Sequence, residues 1–300
     1  MRPANLFFDM LEGVWQNKLN DQWQDNWGWN FITQPDFENR SFEDFHTGVD
    51  PMRETMTFKK IGSARNIGEV GEAGFWQSMA YEIDIRNHTF PDPKNPDGKG
   101  IHHEMGHFLL QVDSLEDDAD AIVSQRGSDL SGVIIRQATI PRANSFMTHG
   151  RLDIESVGKA LENSDLDSFY SARTISTRSD LQEKIDIELS DKAIQAGAPN
   201  PTKLVSLLKQ VDEESLGTIS PGTQDWVFSF RFDRNPSQMA SGQRVNEPVG
   251  IDNLLSDFWI GKRMIDGQER EILQYTQKVN LIFNGQKWPH VAVNTLIKQL

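Results

Sequence analysis

Two sets of residues in this chain have types and spacings that could do chemistry. The first is His103-Glu104-Met105-Gly106-His107. It matches the HExxH pattern of zinc peptidases, in which a helix places two histidines on one face to bind the metal and the glutamate acts as general base. Asp113 falls where a third ligand sits in some such enzymes. The flanks argue against a helix: GIHHEM offers no N-cap, FLLQVD is an apolar run, and Leu110 stands where longer peptidase motifs carry glycine. The second set centres on His290, preceded by Trp288-Pro289 and followed by a β-branched run to Ile297. An imidazole at the start of a strand can face a cavity as a ligand. It can equally be packed at a rim with its nitrogens satisfied.

The elements that must position these residues read as strands. Between Ile272 and Phe283 the side chains alternate, with Leu273, Tyr275, Gln277, Val279, Leu281 and Phe283 on one face, the period-2 signature of a strand. Asn284-Gly285 is a strong hairpin signal, and Val291 to Ile297 is the return strand. Asp266-Gly267 marks another hairpin, between FWIGKRMI (258–265) and EILQYTQKV. Earlier strands are expected at 27–35, 54–62, 73–87, 101–112, 132–141, 145–152 and 225–232, with polar or Pro-rich loops at 36–51 and 88–100. In the first of these, Trp27, Trp29 and Phe31 alternate onto one face, where they could stack on a flat ligand or simply pack a core. With 101–112 as a strand, His102, Glu104 and Gly106 share one face, while His103, Met105 and His107 share the other. A glycine in mid-strand predicts a bulge or the close approach of another group.

About ten strands with no alternating helices predict an all-β fold, an antiparallel up-and-down barrel whose closure leaves no edges exposed. It forms a single domain over 1–300. The texture changes at 153–224, where Leu181, Ile185, Leu189 and Ile194, and then Leu204, Leu207, Leu208 and Val211, recur near helical spacing. This stretch is expected to be a helical insertion that lids the barrel or forms a homodimer.

Composition excludes several classes. The chain carries a formal net charge of −14 and no Lys/Arg cluster, so a nucleic-acid partner is not expected. The absence of cysteine removes disulfides, zinc–thiolate sites and cysteine nucleophiles, and suits a reducing, cytoplasmic compartment. No apolar run is long enough for a membrane-spanning helix, and the N-terminal residues lack a signal-peptide pattern. There is no Gly-rich phosphate loop, nucleophile elbow or dinucleotide fingerprint.

Several stretches, in order, resemble a known family. WPHVAVNTLIKQ (288–299) resembles the closing strand of the nitrobindin-like haem-binding β-barrels, grouped with the fatty-acid-binding-protein-like barrels. IHHEMGHF resembles that family's His-x-Glu-x-Gly-aromatic strand, RETMTFKKIG its second strand, and RQATIPRANSFMTHG (136–150) a hairpin of its larger bacterial and fungal members. Gly13-Val14-Trp15 supplies the first half of the family's Gly-x-Trp-x-Gly pattern, but position 17 is Asn where the pattern has Gly. The resemblance implies a calycin-like barrel that binds haem b, with His290 as the metal ligand and His102 on the distal side. It places Gln137 pointing into the cavity, with Ile101 and Trp29 also at the cofactor. It further implies binding of nitric oxide, and peroxynitrite or peroxide chemistry at the open axial position. A carrier or sensor of a lipid-like small molecule, without haem, and an HExxH zinc metallopeptidase are the alternative readings.

Overall fold

The computed structural model describes residues 3–17, 28–36, 41–67, 73–87, 93–94, 98–112, 132–140, 145–156, 226–234, 240–241, 250–265, 268–283 and 286–300. A short helix α1 (Pro3–Leu11) leads into β1 (Gly13–Gln16) and β2 (Trp29–Asp36). Then come β3 (Ser41–Ile67), β4 (Ala73–Asn87), β5 (Lys99–Val112), β6 (Gly132–Thr139) and β7 (Ser145–Ser156). The remaining strands are β8 (Trp226–Arg234), β9 (Ala240–Ser241), β10 (Gly250–Ile265), β11 (Gln268–Phe283) and β12 (Gln286–Lys298).

Neighbouring strands pair antiparallel, and the sheet closes on itself because β1 and β2 each bridge β3 and β12. The result is an antiparallel barrel of ten staves, nine supplied by β3–β8 and β10–β12 and the tenth by β1 and β2 end to end. Residues 13–16 of β1 pair with 55–58 of β3, and residues 29–36 of β2 pair with the earlier part of that strand. The same change-over occurs on β12, where Ile297 and Lys298 face β1 and His290–Val293 face β2. Between them the wall has a seam at Met52–Glu54 and Asn294–Leu296.

The inner face follows the period of two. Leu273, Tyr275 and Val279 of β11 and Ala292 and Leu296 of β12 join one buried cluster with Phe108, Phe230 and Phe258. Helix α1 plugs one end of that interior: Phe7, Phe8 and Leu11 are buried in the cluster, and Phe7 meets Phe230 edge-on at 5.3 Å. The helix is tied down by Trp15, whose indole donates to the Leu11 carbonyl at 2.7 Å, and by Lys298, whose ammonium donates to the Met10 carbonyl at 2.7 Å. Above this apolar plug the interior turns polar, and it remains mixed toward the opposite end, where β12 begins.

Several sequence expectations change. Residues 41–51, expected within a polar loop, are strand, because β3 must be long enough to serve first β2 and then β1. β10 starts at Gly250, eight residues before the predicted strand, since it pairs along almost the whole length of β11. Residues 101–112 are strand rather than the helix the HExxH reading requires. The insertion expected at 153–224 begins inside β7, which runs to Ser156, and residues 157–225 lie outside the described residues. Two-residue connections are borne out by register: Ile265 pairs with Gln268 and Phe283 with Gln286. No helix among the described residues is long and apolar enough to cross a membrane.

Candidate functional site

The middle of the barrel holds a set of polar side chains inside an otherwise apolar wall. Arg136 of β6 is its centre, with 2% of its side chain exposed. It sits inward because it pairs with Phe108 and Thr148, both on the inner face. Its guanidinium donates to Glu104 Oε1 at 2.6 Å, to Gln277 Oε1 at 2.8 Å and to the Tyr81 hydroxyl at 3.2 Å. Tyr81 itself donates to Glu104 Oε1 at 2.5 Å, and Ser256 donates to Gln277 Oε1 at 3.0 Å. The rings of Phe146, Tyr81 and Phe258 lie 5.7–6.0 Å from the guanidinium carbon, so the cation is also bounded by aromatic faces. Burial by itself would raise the Glu104 pKa. The Arg136 charge, with help from His102 and Tyr81, outweighs it and holds the carboxyl at about 2. Burial by itself would lower the Arg136 pKa, but Glu104 pushes it up. This is a matched ion pair, fully ionised at neutral pH.

A second buried carboxyl, Glu54, stands at the seam in the wall. Tyr275 donates to its Oε2 at 2.6 Å and Asn294 to the same oxygen at 2.5 Å. Its Oε1 is buried with no hydrogen-bond partner among the described residues. Burial raises its pKa to about 7, against the lowering effect of the two hydrogen bonds. The seam is held by a side chain in place of a strand. Asn17 donates to the Met52 carbonyl at 2.7 Å and accepts from the Glu54 amide at 3.0 Å, while the Met52 amide donates to the Gly28 carbonyl at 2.9 Å. Gly28 allows this closeness, since a Cβ there would lie 2.3 Å from Asn17 Nδ2 and 2.8 Å from Asn294 Oδ1.

Toward the end opposite α1 lie the two inward histidines. His102 pairs with the inward Ile85, and its Nε2 is 3.5 Å from Glu104 Oε2. His290 pairs with Val279 and Ile32, on the same face as Ala292 and Asn294. Its Nε2 donates to Asn30 Oδ1 at 2.7 Å, so the lone pair of the neutral ring is on Nδ1. Burial, and then the charge of His102, lowers its pKa to about 4. His290 is therefore uncharged at neutral pH. Two residues earlier on the same face, Trp288 is buried with Nε1 unpartnered among the described residues.

The structure sorts the predicted residues. His102 and His290 both face the interior and sense each other electrostatically. Trp29 does not join them. It pairs with Val293 on the outer face, buried there, while the next residue, Asn30, points inward and takes His290. Gln137 is also outward and exposed; strand alternation turns Arg136 inward in its place. Ile101, at 40% exposed, stands at the outer surface beside His102. His103 and His107 face outward, on the opposite side from Glu104, and four residues along a strand separate them by about 13 Å. The HExxH trio therefore cannot converge on one metal. No group of three or more His, Asp or Glu is placed to hold a metal ion among the described residues. Gly106 meets the close approach expected of it: a Cβ there would lie 1.8 Å from the Gln137 carbonyl oxygen.

Sequence reasoning missed Arg136, Glu54, Tyr81, Tyr275, Asn294 and Asn30. One signal was available: Glu54, Arg136, Gln277 and Asn294 are polar residues at inward positions of alternating strands. Such residues are kept inside only when partnered. Comparison with known protein families, with curated proteins and with solved structures finds no match to this chain.

Proposed function

We propose that the chain binds a small, largely apolar ligand inside its barrel, and that the ligand is haem b held by His290. The observation that carries this reading is the state of the His290 ring. It is neutral at pH 7, it faces the interior, and its Nε2–H donates to Asn30 Oδ1, with no partner for Nδ1 among the described residues. Metal-ligating histidines characteristically give their second ring N–H to such an acceptor, which fixes the tautomer and strengthens the ligand. A neutral imidazole is the donor type that a haem iron takes. The order of the family-like stretches, from Gly13-Val14-Trp15 to WPHVAVNTLIKQ, supports the same choice.

In this reading His290 would hold the iron and Asn30 orients His290. His102, on the other inward strand, donates to or accepts from whatever occupies the open side, and Glu104 orients His102. The matched Glu104–Arg136 pair keeps the floor of the site at fixed charge. Haem, when bound, would supply iron chemistry toward nitric oxide, peroxynitrite or peroxide. The test is a titration of the purified protein with haemin, followed by visible absorption, in wild type, His290→Ala and Asn30→Ala. A saturable Soret band that is lost in His290→Ala, and forms about 10–100-fold more weakly in Asn30→Ala, is expected. Wild type with no saturable band removes haem, and mass spectrometry of co-purified small molecules then identifies what the barrel carries.

A further inference from the structure

We propose that Glu54 Oε1 is a binding point inside the barrel for a protonated amine on an otherwise apolar small molecule. The inference rests on the reading of the barrel as a small-ligand container, and is independent of haem. Glu54 is buried, with 2% of its surface exposed, and its Oε1 has no hydrogen-bond partner among the described residues. Buried carboxyl oxygens are rarely left so.

No donor among the described residues reaches that oxygen. Tyr275 and Asn294, the two side chains that reach Glu54, both donate to Oε2. The backbone amides at the seam are committed, Glu54 N–H to Asn17 and Met52 N–H to Gly28. Arg136 donates to Glu104, Gln277 and Tyr81. The charges show the same imbalance. Glu104 is matched by Arg136, whereas no ion pair is formed by Glu54 among the described residues. An ammonium group at Oε1 would supply both the donor and the counter-charge, and the apolar side chains of Met52, Met56 and Ile85 on the same inner wall would take the remainder of the molecule. The groups that act on Glu54 are Tyr275 from β11, Asn294 from β12, and His102 and Glu104 from β5. The free carboxyl titrates near 7, so an ammonium ligand would find it ionised in mildly alkaline solution.

The experiment is calorimetric titration of the full chain with n-octylamine and with octanoate at pH 8, in wild type and in Glu54→Gln. Glutamine keeps the size and still accepts from Tyr275 and Asn294. The expected result is that octylamine binds wild type at least about tenfold more tightly than octanoate, and that Glu54→Gln abolishes this preference. A second measurement, on wild type alone, covers a variant that does not fold: octylamine affinity should fall about tenfold per pH unit below pH 7, as the carboxylate is protonated. Equal binding of the two probes, a preference that survives Glu54→Gln, or no pH dependence overturns the role of Glu54 and leaves the container reading standing. Failure of both probes to bind overturns the amine site, and haemin binding in the same samples then shows whether the container reading has failed with it.

Discussion

Asn294 and Glu54 meet across the one place where the barrel wall changes stave. Asn294 Nδ2 donates to Glu54 Oε2 at 2.5 Å, from β12 to β3, at the level where β1 has ended and β2 has not begun. Asn17 closes the same gap with its side-chain amide, and so does the work of a missing backbone pair. Side chains help close the wall there beside the Met52–Gly28 backbone bond, and one of them is a carboxyl whose ionisation is sensitive to pH.

The seam makes a direct prediction for stability. Asn17→Gly removes two buried hydrogen bonds. It should destabilise the protein by about 1–3 kcal/mol, measured as a lower urea midpoint with unchanged slope. Gly28→Ala should do similar damage, because its Cβ would enter the space of Asn17 and Asn294.

The buried ion pair should behave asymmetrically. Arg136→Met leaves Glu104 charged inside the barrel without its guanidinium partner, at a cost of about 3–5 kcal/mol. The double variant Arg136→Met with Glu104→Leu should recover much of that loss, because an apolar pair of comparable volume has no charge to desolvate. Urea unfolding of wild type, both single variants and the double variant decides it. A double variant as unstable as the sum of the singles would show that the pair is not acting as a unit.

Glu54 and Glu104 should pull the pH profile in opposite directions. The folded pKa of Glu104 lies below its ordinary value, at about 2, so its contribution is present above pH 4.5 and is lost as pH falls toward 2. The folded pKa of Glu54 is raised to about 7, so the folded state is favoured below pH 4.5 and loses that advantage as pH rises to 7. Glu54→Gln should therefore gain up to about 3 kcal/mol over wild type at pH 8 relative to their difference at pH 4. Thermal or urea unfolding at the two pH values measures the change, and a difference independent of pH would show that Glu54 titrates normally.

His290 should titrate far below an exposed histidine. Its ring carbon resonances should shift with a midpoint near pH 4, since burial and the charge of His102 oppose protonation. Removing His102 as His102→Gln should raise that midpoint. A midpoint near the ordinary imidazole value would mean the ring is solvated rather than inside the barrel.

Gly106→Ala tests the inner packing. Its Cβ would strike the backbone carbonyl of Gln137, which cannot swing aside as a side chain can. A loss of about 3 kcal/mol or more, or failure to fold, is the expected outcome.

Much of the barrel was legible in the order of the residues. Alternation along Leu273, Tyr275, Gln277, Val279 and Leu281 sets which side of β11 faces in, and it holds in the register with β12. The same alternation, applied to 101–112, correctly separated His102 and Glu104 from His103 and His107. Period-2 patterning is local, because each side chain's face depends only on its own strand. Partners are not local. Whether Trp29 or Asn30 enters the barrel, and whether Gln137 or Arg136 does, turns on a one-residue phase that only pairing with β12, β5 and β7 establishes. The polar layer is less local still. Glu54 is brought to Tyr275 and Asn294 from more than two hundred residues away, and Arg136 to Gln277 from 141. A sequence lists these as isolated polar residues in apolar strands. Only closure of the sheet decides that one carboxyl finds an arginine while the other has an oxygen with no partner among the described residues.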